Sequence, residues 1–192
     1  MIVFFDLEFT AFEGSLARRW LAPGEFKEVV QIGAVKTDAD TLRPVGELNL
    51  LVRPRINAKI SDYLERLTGI SHADIAARGM DFSDAYRQFV DFAGSGVICA
   101  FGRDDLVLTE NLRLYGIADA PPLPAYVNIV PWLAANGIDA AGLHACDVAR
   151  ICGAEFSGSE HDALDDARSV FAGVIALIRR GTAPPWRTDE TI

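Results

Sequence analysis

Two short apolar runs in this sequence each end in acid. Ile2-Val-Phe-Phe5 runs into Asp6-Leu-Glu8, and Val97-Ile-Cys-Ala-Phe101 is followed by Gly-Arg-Asp104-Asp105. β-Branched and aromatic runs of this length read as buried strands, so the pattern calls for a sheet whose strand ends carry carboxylates. Side chains alternate along a strand, which puts residues 6 and 8 on one face. Two like charges there repel unless water or a cation stands between them, and a hard divalent ion prefers carboxylate oxygen. In open α/β sheets, sites form at the carboxyl ends of strands. Each piece alone also has a plain explanation: Asp6 and Glu8 as solvated carboxylates, Asp104 or Asp105 as a helix cap.

The other elements follow from the same periodicities. Val29 to Lys36 is a second strand and Leu48 to Val52 a third, with Pro54 ending it. Residues 10 to 26, with Gly14, Pro23 and Gly24, form a loop or short irregular helix. Ser61 and Ser71 cap two short helices, and a third starts at Asp81 or Ser83 with Ala85, Phe89, Val90 and Phe92 on its apolar face. Asp104 to Tyr115 is a helix, Tyr126 to Ile129 a fifth strand, and residues 141 to 152 are helical. A long final helix runs from about Asp162 to Arg180. Strands first, then strand and helix alternating, predict an α/β fold: a mixed five-stranded sheet, its first three strands antiparallel, with helices on both faces. Residues 1–180 form one domain, and 181–192, polar and Pro-rich, a loose tail.

Composition narrows the class. Half of the 192 residues are hydrophobic and 23% are charged, enough for one globular core without staples. Three cysteines, Cys99, Cys146 and Cys152, show no CxxC pairing and read as buried small hydrophobes in a reducing cytoplasm. The apolar start meets Asp6 too soon for a signal peptide, and no run reaches the roughly 20 apolar residues of a membrane span. A cytoplasmic protein with no membrane partner is expected. The net charge of −9 argues against tight, extended nucleic-acid binding, although cations held by carboxylates attract phosphate locally.

A third acidic segment lies near the C-terminus: His161-Asp-Ala-Leu-Asp165-Asp166. His161 and Asp166 are five residues apart, about 140° around a regular helix. They can share a site only if His161 precedes the helix, on the loop that starts at Gly158. The spacing predicts a mobile His161, turned away from Asp6 and Glu8 without metal, and a fixed Asp166.

A strand-borne Asp-x-Glu, a strand-to-helix Asp and a His-x-x-x-x-Asp, in that order, resemble the DEDDh 3′→5′ exonucleases. This ribonuclease H-like group includes ribonuclease T, the DnaQ-like proofreading subunits and the ERI- and KapD-type enzymes. The resemblance runs from about Ile2 to Arg180. It also includes Thr10, Glu28-Val-Val-Gln-Ile-Gly-Ala-Val35, Pro54, Leu67-Thr-Gly-Ile70 and Ala163-Leu-Asp-Asp-Ala167, closest to the ERI/KapD branch.

The resemblance implies that Asp6, Glu8, the mid-chain Asp and Asp166 bind two Mg²⁺ ions, which Mn²⁺ can replace. It makes His161 the general base and a nucleoside 5′-monophosphate from the 3′ end of single-stranded nucleic acid the product. Two ions about 4 Å apart suit a phosphodiester displacement, and an imidazole with a pKa near 6.5 suits the base. Apolar residues at the third, fourth and eighth positions after Asp104 (Val107, Leu108, Leu112) favour it as the mid-chain acid. Counting from Gly102, as in the Gly-x-Trp-Asp form of the ERI branch, selects Asp105 instead. This chain has neither the Trp nor the usual Asn of that motif. Phe9, Thr10, Leu67 and Ile70 are the expected substrate contacts, and Arg18-Arg-Trp20 a further basic-aromatic cluster; His72 and His144 read as surface or helix-terminal residues.

Two other readings compete. His161-Asp162 is the dyad of the HD phosphohydrolases, but those are all-α and leave Asp6-x-Glu8 unexplained. A catalytically inactive adaptor of the same fold should lack an acid or the histidine, and none is missing. RNA or short oligonucleotides are favoured over DNA by the ERI-like features, while oligomeric state and pathway are not written in the sequence.

Overall fold

The computed structural model describes residues 1–187. The chain opens with β1 (Ile2–Phe9), a short α1 (Ser15–Arg18), then β2 (Val29–Thr37) and β3 (Pro44–Leu51). Three helices follow: α2 (Asp62–Thr68), α3 (His72–Arg78) and α4 (Phe82–Ala93). The rest alternates: β4 (Val97–Ala100), α5 (Asp104–Leu114), β5 (Ala125–Asn128), α6 (Ile129–Ala135), a 3₁₀ turn at Ala145–Asp147, α7 (Val148–Ile151) and α8 (Ala163–Arg179). The sheet order is β3-β2-β1-β4-β5. β1, β2 and β3 pair antiparallel, whereas β4 and β5 run parallel to β1. The expected mixed five-stranded α/β sheet is therefore the observed one.

Alternation along β1 divides the molecule. Val3, Phe5 and Leu7 face one core, packed with Phe82, Tyr86 and Phe89 of α4 and Val107 and Leu108 of α5. Ile2 and Phe4 face the other, with Ile129 and Leu133 of α6, Val148 of α7 and Val170 and Val174 of α8. Helices thus cover both faces, as a sheet with two apolar sides requires.

Some expected boundaries move. β1 does not stop at Asp6: it pairs with β2 through Phe9, with Asp6 opposite Gly33 and Glu8 opposite Gln31. The acids are inside the strand because the backbone ladder continues whatever the side chains carry. Ser61 and Ser71 do cap α2 and α3, each hydroxyl accepting from a backbone N–H of the first turn, and Asp81 precedes α4. The segment 141–152 is a 3₁₀ turn plus one α turn, not a full helix, and α6 had no sequence expectation. As far as it is described, the tail makes two contacts with the domain. Trp132 Nε1 donates to the Ala183 carbonyl at 2.9 Å, and the Trp186 ring meets Phe4 edge-on at 5.9 Å. Burying an indole against the core outweighs the local Pro-rich signal. Residues 188–192 lie outside the described residues.

One glycine sets how closely the layers meet. A Cβ built on Gly33 would lie 2.1 Å from the Ala163 carbonyl carbon, so the first turn of α8 rests directly on β2 beside Asp6.

Candidate active site

Asp6 and Glu8 share the face of β1 that carries Ile2 and Phe4, so the α8 layer covers them too. The start of α8 is fixed by two side chains. Asp162 caps it, its Oδ1 accepting from Leu164 N at 3.0 Å and Asp165 N at 3.1 Å. Gln31 of β2 donates to Asp162 Oδ2 at 3.1 Å and accepts from Ala163 N at 3.0 Å. With Gly33 admitting the helix, Asp166 is buried one turn in and directed at the strand acids.

His161 stands just outside the helix, where the spacing requires it. Its φ of 59° is left-handed, an uncommon conformation for a residue with a Cβ, and it turns the imidazole back across the helix end. The expectation of a histidine turned away from the acids is not met. Ligand atoms of Glu8, His161 and Asp166 lie within 4.8 Å of one another. The approach loop is tied down, with Ser159 N donating to Asp165 Oδ2 at 2.8 Å while Arg168 holds Asp165 from the other side. The His144 ring meets His161 edge-on at 5.7 Å.

Asp6, Glu8, Asp104, His161 and Asp166 line one cleft of about 490 Å³. Asp105 does not. Arg103 holds it bidentately, Nε and Nη2 each 2.8 Å from its oxygens, and its carboxyl is held below its ordinary pKa. Counting from the helix thus picks the acid that faces the cleft.

The electrostatics follow from burial. Desolvation, then repulsion from Asp104, Glu8 and Asp166, raises Asp6 well above the usual carboxylate range. Burial with repulsion from Asp166 and Asp104 pushes Glu8 to about 8. Burial also pushes Asp104 and Asp166 to about 7, each raised further by a neighbouring acid. Among the described residues, Asp104 Oδ2 and Asp166 Oδ1 are buried and have no hydrogen-bond partner. Carboxyl oxygens, crowded, dehydrated and partly unpartnered, are the donor set that a hard divalent cation fits once it displaces their protons. Burial, then the charge of His144, lowers His161, so it is neutral and able to accept a proton near pH 7.

The expected substrate contacts divide. Phe9 and Leu67 line the cleft. Thr10 does not: it is buried, its hydroxyl donating to the Phe26 carbonyl at 2.5 Å and accepting from Glu28 N at 3.0 Å. Ile70 also leaves the cleft and packs with Val30, Ile60, Leu64 and Ile75, because it follows the Gly69 turn that ends α2. Of the basic-aromatic cluster, Trp20 lines the cleft, while Arg18 is bound by Glu25 and the Glu13 carbonyl. Tyr63, Phe101, Leu143 and His144 line it as well. Tyr63 was findable, four residues before Leu67 on one helix face. His144, in a non-periodic loop, carried no such signal.

The sequence model of the exonuclease family that contains ribonuclease T matches residues 3–172. The chain belongs to this exonuclease family. The sequence resemblance to this family is thereby borne out. Among curated proteins no sequence matches. Solved structures share the exonuclease's fold at low identity. The nuclease domain of 3′hExo, described as a DEDDh family member bound to rAMP, is 21% identical with a TM-score of 0.80, covering 100% of this chain and 96% of that one. The cell-death related nuclease 4 is 20% identical, TM-score 0.74, covering 94% and 64%. E. coli exonuclease I with a dA16 oligonucleotide is 16% identical, TM-score 0.69, covering 94% and 41%. This chain spans only 64% and 61% of two other solved 3′-exonucleases. No helix among its described residues is long and apolar enough to cross a membrane.

Proposed function

We propose that the protein removes nucleoside 5′-monophosphates from the 3′ end of single-stranded nucleic acid, with two divalent cations, Mg²⁺ or in its place Mn²⁺, held by Asp6, Glu8, Asp104 and Asp166. The observation that carries this is the shared cleft, lined by buried Asp6, Glu8 and Asp166 and half-buried Asp104, in which ligand atoms of His161, Glu8 and Asp166 lie within 4.8 Å of one another. Bound there, the cations would offset the carboxylate charge, stabilise the attacking and leaving oxygens of the phosphodiester and acidify the attacking water.

The chain's own groups supply the rest. His161, neutral near pH 7, accepts the proton of the attacking water and carries it out of the cleft on its solvent side. Asp166, on the first turns of α8, and Asp6, inside the sheet, are fixed to rigid elements and hold the reacting centre in register. Phe9, edge-on to Trp20 at 5.4 Å, offers an aromatic shelf for the terminal base, and Leu67 closes over it from α2.

RNA or short oligonucleotides are the favoured substrates. The relative whose length this chain nearly matches was solved with rAMP, although exonuclease I was solved with DNA. The test is a side-by-side Mg²⁺ digestion of matched RNA, DNA and dinucleotide, with an Asp6→Ala control. Release of 5′-mononucleotides by the wild type alone is expected. Equal release by Asp6→Ala would refute the metal assignment, and no release from any substrate would leave the fold without the proposed chemistry.

A further inference from the structure

The cleft described above has an electrostatic gap. None of its lining residues is Lys or Arg, yet a nucleic acid strand brings a negative charge with every nucleotide. Among the described residues, Arg18 pairs with Glu25, Arg103 with Asp105 and Arg168 with Glu47 and Asp165, while Arg19, exposed beside Trp20, makes no ion pair and lies over no aromatic ring. Lys27 is different. Its Nζ lies 4.6 Å from the centroid of Trp20 and 5.4 Å from that of Phe9, both of which line the cleft. Among the described residues it has no carboxylate within ion-pair distance.

The geometry points to Lys27 as a phosphate contact of this exonuclease, its ammonium held at the cleft edge by the Phe9–Trp20 pair to meet a backbone phosphate adjoining the terminal nucleotide. The inference rests on the nucleic-acid reading above. An ammonium over aromatic faces keeps its donors free on the side away from the rings. Lysine binds phosphate as a point charge, so the contact favours no base. A lone contact also fits a protein of net charge −9 that handles strand ends rather than long duplexes.

Equilibrium binding of a labelled single-stranded oligonucleotide tests it, measured across salt concentrations in an Asp6→Asn background that stops hydrolysis. One phosphate contact to a single strand contributes about 0.7 to the slope of log affinity against log salt. Lys27→Gln should lower the slope by about that amount, so its affinity deficit should shrink about two- to threefold between 50 and 200 mM salt. Lys27→Arg should keep the slope. A Lys27→Gln slope equal to that of the background, even with weaker binding, would overturn the proposal and assign Lys27 to packing on Trp20. If the wild type cleaves no substrate while the slope still falls, the exonuclease reading fails and the Lys27 contact stands. If the protein binds no single strand at all, both fail.

Discussion

The two faces of β1 are built from the same eight residues to opposite ends. Val3, Phe5 and Leu7 are apolar throughout and meet α4 and α5 in an aromatic-rich core, where Phe5 lies 4.9 Å from Phe89 and 6.3 Å from Tyr126. The other face begins the same way with Ile2 and Phe4, then turns to Asp6 and Glu8 at comparable burial. One face gains stability from every side chain. The other gives up apolar burial at two positions and accumulates mutually repelling acids beneath α8. Stability and chemistry are divided by the period-two alternation of a single strand.

Substitutions on the two faces should therefore fail differently. The largest effect belongs to the acidic face: Asp166→Asn should lower exonuclease turnover about 10³-fold, the equivalent of several kcal/mol of lost charge stabilisation. Its metal-free melting temperature should hold or rise, because a repelling charge is gone. A melting temperature well below wild type with turnover per folded molecule intact would reverse the assignment of the faces. Phe5→Ala on the apolar face should cost about 3–5 kcal/mol of stability in denaturant titrations. Activity per folded molecule should survive, and its loss in a fully folded sample would show that the faces are not separable.

Gly33 joins the two regimes. Gly33→Ala forces a methyl into the Ala163 backbone, which should cost about 1–3 kcal/mol and displace Asp166 from the strand acids, so stability and turnover fall together. Turnover unchanged at reduced stability would show that α8 shifts without carrying its acid away.

The smallest effect is on pH. In the unfolded chain the site acids titrate near 4, whereas in the fold Glu8 is raised to about 8 and Asp104 and Asp166 to about 7. The folded state therefore holds these protons longer, and the stability they contribute is complete below about pH 4 and lost as pH rises through 7 to 8. Asp74, held at about 2 by Ser71 and Arg78, acts in the opposite sense but only below that window. Calorimetry of metal-free protein should show a falling melting temperature from pH 5 to 8, and Mg²⁺ should raise it more at pH 8 than at pH 5. A flat profile with equal Mg²⁺ effects at both would mean that the acids are not crowded as described.

Local signals carried most of this architecture. Asp6-x-Glu8 shares a face through alternation alone, Ser61 and Ser71 are caps in sequence and in space, and the five-residue spacing of His161 and Asp166 places the histidine off the helix. What was not legible depends on distant partners. β1 runs through its acids because β2 keeps pairing with it, a tertiary fact. Thr10 and Ile70 sit in the right motifs, yet one hydroxyl is claimed by residues 26 and 28 and the other side chain follows a left-handed glycine into the core. The loop before His161 is tied at Ser159 to Asp165, whose ion pair with Arg168 extends to Glu47 on β3, and no window along the sequence joins those positions.

Trp186 has a practical consequence. Its indole covers the ring of Phe4, two residues before Asp6 on the same face, although the last helix has already ended at Arg179. A recombinant version trimmed at Arg180 would keep every acid of the cleft and every described helix and strand, yet uncover the apolar floor on which the first two acids stand. Shortened proteins of this kind, or ones with a bulky tag placed just before Trp186, would serve poorly as the reference sample for any activity comparison.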